Sequence, residues 1–287
     1  MSKNRQGPLK VDQSEKQGVL GLIQDLIRLH RAGERTKEQL LAYNEGRNPF
    51  ALHWFDAIVR KSQSKLSSKL RQKVIVPQPP TTFTEDLIIK LVASGMDVIY
   101  LPSLDIVEGF LPRNWVEPGR WFYVQIGDGK LEGFANRIKG GWYAIDTTPF
   151  VDCTDGTQMI PNDPLAPFLT KLRQERKIFQ EEEIPYGSRF GISWDEWSEV
   201  IAPAFAEKFG LKTKKVRLER AIEFNAFGNI YDANRGKFNS WQWFQDVFDL
   251  TNRLFGGYHR HGGLARVDFC SGGKVDARIA GRLLVSF

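Results

Sequence analysis

Cysteine is nearly absent from this 287-residue chain: Cys153 and Cys270 stand far apart, outside any C-x-x-C spacing. That excludes a disulfide framework and a zinc knuckle, and both read as free thiols. Histidine is as scarce, limited to His30, His53, His259 and His261. The most apolar stretches, 87–92 and 283–287, fall far short of the roughly 20 residues that span a bilayer, so neither a transmembrane helix nor a membrane partner is expected. The opening "MSKNRQGPLKVDQSEKQG" lacks the apolar core of a secretory signal, which makes the cytoplasm the expected location. No G-x-S-x-G elbow, Walker loop, H-E-x-x-H or dinucleotide fingerprint is present, so hydrolase, nucleotide and zinc-protease chemistries have no motif to rest on. Glu181 to Glu183 reads as a solvated turn rather than an acid/base pair.

What is there begins with an uneven charge. Residues 1–75 carry 15 Lys and Arg against 7 Asp and Glu, a net of +8, and the whole chain is +6, so the remainder is −2. Within this basic quarter, "KQGVLGLIQDLIRLHRAG" repeats apolar residues at the spacing of one helical face. A second helical stretch, "NPFALHWFDAIVRKSQSKLSSKLRQK", ends in six basic residues from Arg60 to Lys73 interleaved with serines. It fits either a phosphate-binding or partner-binding helix or a solvated face.

The prolines of "VPQPPTTFTEDLIIKL" set a boundary near residue 76 between a basic helical region, 1–75, and an α+β domain, 76–287. Thr82 with Glu85 reads as a capping box opening a helix that stops at Gly95. "MDVIYLPS", "RWFYVQI" and "GGWYAIDTTPF" read as strands. Asp163 with Pro164 opens one further helix; Ser193 with Glu196 opens another, bent at Pro203 and closed by Gly210. Short strands and loops are expected after that, ending in the buried strand "LLVSF".

The ordered set "ISWDEWSEVIAPAFAEKFGL", "VRLERAIEFNAFGN", "NSWQWFQDVF", "RLFGGYHRHGGL" and "GRLLVSF" resembles the formylglycine-generating enzyme, or sulfatase-modifying factor, superfamily. The match covers roughly residues 186–287. Trp194 matches that family's helix tryptophan, Arg217, Leu218 and Glu223 its second element, Trp241, Trp243 and Asp246 its third, and Gly256 and Gly257 its double-glycine turn. The resemblance implies a C-type-lectin-like fold over about 120–287, with these tryptophans in the core and Arg217 with Asp246 as a buried pair. It extends to the variable proteins of diversity-generating retroelements, in which the segment after the double glycine displays hypervariable binding residues. Two departures stand out. Ala280-Gly281-Arg282 replaces the usual closing G-F-R, and the P-T of the second element is missing. The oxidase branch of the family works through a closely placed cysteine pair, and only Cys270 stands in that part of this chain, so no catalysis and no cofactor are expected. A metal alternative would join His259 and His261, on one face of a strand, to Asp268 or Asp276. The calcium motifs E-P-N and W-N-D of lectins are absent.

"RLFGGYHRHGGLARVDFCSGG" then reads as a recognition surface. Glycines let the backbone turn, and Tyr, His, Arg and Phe give contact area at low entropic cost. The candidate ligand-binding residues are Tyr258, His259, His261, Arg266, Asp268, Phe269, Ser271, Lys274, Asp276 and Arg278. From Tyr258 to Ile279 there is no Met, Trp, Gln or Glu and one Lys, although these five types form about a fifth of the chain. Codons ending in a pyrimidine encode none of the five, and adenine-directed diversification of Asn-type codons leaves that trace. The expected function is a non-catalytic ligand-display protein with an unidentified protein or small ligand at this face. The basic N-terminal helices would hold a partner protein or nucleic acid. The alternatives are a formylglycine-generating-type oxidoreductase and a nucleic-acid-associated protein.

Overall fold

The computed structural model describes residues 51–112, 114–153 and 159–287, with the backbone alone for 51–54. The amphipathic helix expected over 16–33 lies outside them. The chain divides into two compact units, Met1–Phe55 and Asp56–Phe287; the second is described here. Among the described residues no helix is long and apolar enough to cross a membrane.

The serine-punctuated basic stretch is a helix, α1 (Ala51–Leu70). Ser62 and Leu66, one turn apart, are fully buried. The Ser62 hydroxyl accepts the Tyr100 N–H at 3.3 Å, and Lys61 reaches Asp97 at 2.6 Å. The proline segment packs against the sheet: Val76 is buried, and the Pro77 carbonyl accepts the Trp142 indole N–H at 3.2 Å. Helix α2 (Glu85–Ala93) is capped by Thr84, not Thr82, with the Thr84 hydroxyl accepting the Leu87 N–H. Gly95, at φ +82°, ends the turn that follows.

Strands β1 (Met96–Leu101), β4 (Gly141–Asp146), β5 (Val216–Leu218) and β10 (Leu283–Ser286) form an antiparallel sheet in the order β1-β4-β10-β5. The last strand sits inside this sheet, and Leu283, Leu284 and Val285 are fully buried, as expected of a strand apolar on both faces. A short pair joins β2 (Leu104–Asp105) to β3 (Arg137–Ile138). "RWFYVQI" is not a strand but helix α3 (Arg120–Gly127). Its buried residues are Phe122 and Gln125, three apart, so packing of one helical face overrides the aromatic and β-branched preference for strand.

Helix α4 spans Ala166–Gln174. The Asp163 carboxylate does bond the Leu165 N–H at 2.9 Å, but Asp163 also serves as a buried ion-pair partner, and the helix starts two residues later than the Asp-Pro signal implies. The Ser193–Glu196 capping box is present and opens α5 (Trp194–Glu196). A π turn, Trp197–Ile201, leads into α6 (Ala202–Lys208), with the Ala202 N–H bonded to the Trp197 carbonyl. Pro203, which has no N–H to give, follows this turn directly, so the expected bend takes the form of a π bulge.

Helix α7 (Ala221–Ile230) was not expected in a region read as loops. All ten of its residues are buried, so its sequence, "AIEFNAFGNI", carries no polar face to mark a period. A second sheet, in the order β8-β7-β6-β9, contains β6 (Trp241–Phe248), β7 (Asn252–Gly256), β8 (Val267–Ser271) and β9 (Ile279–Ala280); β6 and β9 run parallel and the other pairs antiparallel. The architecture is mixed α+β.

Candidate functional site

The segment after β7 is held by what lies beneath it. Trp194 donates its indole N–H to the Phe244 carbonyl at 2.7 Å, and Trp243 donates to the Ile192 carbonyl at 3.0 Å, which ties α5 to β6 through two buried rings. Trp197 is fully buried as well, and a Cβ on Gly281 would stand 2.1 Å from its ring. The glycine in Ala280-Gly281-Arg282 is therefore required by contact, and any larger residue there must displace the indole.

The matching charged residues pair differently from expectation. Arg217 forms a bidentate ion pair with Glu223, at 2.6 and 2.7 Å, rather than with Asp246. Asp246 instead accepts the Ala221 N–H at 2.7 Å and faces the Arg220 guanidinium at 3.3 Å. Burial alone would raise the Glu223 carboxyl, but Arg217 outweighs it and holds that group below its usual range. For Asp246 burial prevails, and its pKa is raised.

At the turn, a Cβ on Gly256 would stand 2.2 Å from the Arg266 carbonyl, and Gly257 adopts φ +90°. No other residue type fits both positions without moving the β7-to-turn backbone. Tyr258 then stacks on Trp241 at 4.9 Å between ring centroids, and His261 meets the same ring edge-on at 5.5 Å. His259 and His261 lie on a 3₁₀ turn, His259–His261, not on one face of a strand. Both Asp residues considered as companion ligands are engaged elsewhere: Asp268 with Arg266 at 2.5 Å, and Asp276 with Lys274 at 3.2 Å and Arg278 at 3.1 Å. Among the described residues no group of three or more His, Cys, Asp or Glu is placed to hold a metal.

The ten candidate residues are all exposed or half-buried. The structure gathers some and separates others. Tyr258 and His261 form one group on Trp241, and Tyr258 lies near enough to Arg278 to act on its charge. Asp276 anchors Arg278; burial would raise its carboxyl, but hydrogen bonds from Arg278 and Lys274 hold it below the usual range. On β8, neighbouring Asp268 and Phe269 point to opposite faces, as strand alternation requires. Asp268 pairs across to Phe255, in line with Trp243. Phe269 packs on Phe248 at 4.3 Å and stacks on Trp121 at 5.8 Å with the rings 6° from parallel. Half-buried Trp121 thus joins Phe269 and Phe248, although no local pattern links α3 with β8.

Burial pushes the Cys270 thiol up to about 11, so it is a protonated thiol at neutral pH. No protein-family model matches the chain, and no curated protein matches it significantly. Among solved structures, a crystal structure of CarF is similar at a TM-score of 0.37 and 12% identity, over 67% of this chain and 98% of that one, a likeness on which nothing further rests.

Proposed function

We propose that this chain is a non-catalytic ligand-binding protein of C-type-lectin-like fold, with 258–278 as its binding face, and that it is the diversified target of a diversity-generating retroelement. One observation carries the reading. All ten candidate side chains are at least partly exposed, whereas the residues that shape the backbone around them, Gly256, Gly257, Gly263, Val267, Gly272 and 279–285, are buried. Such a segment exchanges contact residues over a fixed backbone, with Tyr258, His261 and Phe269 among the ten resting on the buried rings of Trp241 and Phe248. The tryptophan ties between α5 and β6 and the Arg217–Glu223 pair fall on residues that carry the sequence resemblance, which supports the fold assignment.

The test is a surface-display library randomised at the ten positions and selected against several unrelated proteins. Folded binders of different targets, differing only at these positions, are expected; a folded library yielding none would count against the face. In the genome, a reverse transcriptase beside a near-copy of the codons for 253–287, differing at adenines, is expected.

Nucleic-acid binding by α1 and the turn that follows it is a second reading, favoured by the exposure of all six basic residues from Arg60 to Lys73. Exchanging Lys65, Lys69 and Arg71 for Glu would then remove a salt-dependent affinity for duplex DNA. Unchanged affinity would end that reading.

A further inference from the structure

A cavity of about 290 Å³ lies behind the display turn, with Gly257 in its wall. Four phenyl rings line it: Phe150, Phe224, Phe227 and Phe238. Arg235, Ser240 and Arg282 line it too, and each is more than nine-tenths buried. Each also carries a polar atom without a partner: the Nε–H of Arg235, the hydroxyl of Ser240 and the Nε–H of Arg282. Buried donors left unmade are costly, and three of them around one cavity need a common explanation.

The remaining donors of the two guanidiniums show what is missing. Arg235 binds the Asp146 carbonyl at 3.0 Å and pairs with Glu219, whose second oxygen accepts from Gln242 at 2.6 Å. Arg282 also binds the Asp146 carbonyl, at 3.1 Å, but among the described residues no carboxylate lies within ion-pair distance of it. The Asp146 carboxylate is committed to Arg189, which also holds Asp163. Arg282 is instead stacked 3.8 Å over Phe150, and Arg235 lies 4.6 Å over Phe227. Lys61 and Lys65 stand in the lining with Asp97 and Asp232, so its ionisable groups comprise four cations and two anions, and Asp97 is already paired with Lys61. The lining calls for an anionic head and an apolar body, and the volume suits a single small ring system.

We propose that this cavity binds a small aromatic carboxylate, its carboxylate taken by the Arg235 and Arg282 Nε–H groups and the Ser240 hydroxyl, its ring held among the phenylalanines. Burial first, and then the neighbouring Arg235 charge, push the Arg282 guanidinium down to about 9, a penalty that a bound carboxylate relieves. The site does not depend on the display reading, since none of the ten face residues lines it.

Titration calorimetry and thermal melting of the full chain with benzoate, benzyl alcohol and inorganic phosphate test the proposal. Benzoate is expected to bind one-to-one and raise Tm, with the uncharged alcohol weaker by about tenfold or more, the worth of one charge-assisted contact, and the ringless anion weaker by about tenfold or more for want of the buried ring. Arg282→Lys, which keeps charge but loses the Nε–H, should weaken benzoate by about tenfold. Ser240→Leu, which fills the cavity from its wall, should abolish binding in a folded protein, and it decides the matter if Arg282→Lys does not fold. Absence of benzoate binding by the folded wild type would overturn the proposal. So would equal affinity for benzyl alcohol, binding of phosphate alone, or undiminished benzoate binding by folded Ser240→Leu.

Discussion

Two arginine–carboxylate pairs in this molecule close to nearly the same distance in opposite surroundings. Arg217 and Glu223 approach to 2.6 Å, with the carboxylate almost wholly out of water. Arg266 and Asp268 approach to 2.5 Å in the 258–278 segment, with both side chains more than a third exposed. The first pair sits among ions that fix the scaffold: Arg189 between Asp146 and Asp163, Arg235 on Glu219, Arg220 on Asp246. The second is exchangeable surface chemistry, where solvent screens the attraction and side-chain entropy opposes it. Contacts of similar length thus do different work: the buried pair is bidentate and out of water, and the exposed one is a single contact that water can replace. The molecule thus holds buried charges that fix the fold and exposed ones that water screens.

The contrast breaks most visibly at Arg189. Arg189→Leu strands two buried carboxylates, and denaturant unfolding should show a loss of about 3–5 kcal/mol, the usual cost of halving a buried ion pair. A loss below about 1 kcal/mol would mean the scaffold charges are not structural.

A smaller effect is expected from pH at Glu223. Its folded-state pKa is depressed, so its contribution is complete above the unfolded carboxylate value of about 4.3 and is lost as pH falls through the lower folded value. The Tm of the wild type should therefore decline below about pH 4 more steeply than that of Glu223→Gln. Parallel curves would contradict the assignment. Glu219 and Asp246, whose pKa values are raised chiefly by burial, contribute in the opposite sense, and the Glu223 charge adds to both shifts, so the Gln exchange reduces them as well.

The smallest effect is expected on the surface. A double-mutant cycle on Arg266 and Asp268 should return a coupling of about 0.2–1 kcal/mol, against about 1.5–3 kcal/mol for Arg217 and Glu223. Equal couplings would erase the distinction between the two regions.

Much of this arrangement was legible in the sequence wherever the signal was local. The Ser193–Glu196 box, the apolar terminal strand and the strands at 96–101 and 141–146 depend on neighbouring residues, and they stand where their patterns put them. The exposure of the ten face residues followed from glycine spacing and residue type. What escaped was decided by distant packing. Helix α7 has no polar face because it is buried all round; α3 is helical because Phe122 and Gln125 are drawn inward together. The partners of Arg217 and Asp246 were exchanged because motif position places a residue on an element without saying which neighbouring element it meets. Trp121 reached Phe269 across about 150 residues of chain, with no trace in either local sequence. The cavity behind Gly257 is likewise assembled from α1, β1, the loop after β4, α7, the loop from α7 into β6, and residues beside the ends of β7 and β10, and no motif announces it.

The central claim is that the 258–278 face is separable from the scaffold, and thermal melting tests it most directly. Variants carrying several simultaneous exchanges among the ten face residues are compared with Trp243→Ala. The face variants should each melt close to the wild type, since surface changes mostly cost within about 0.5 kcal/mol apiece. Trp243→Ala, which removes a fully buried ring and its bond to the Ile192 carbonyl, should lose about 3–5 kcal/mol. Unfolding of the face variants as a class, or a Trp243→Ala protein as stable as they are, would contradict the account.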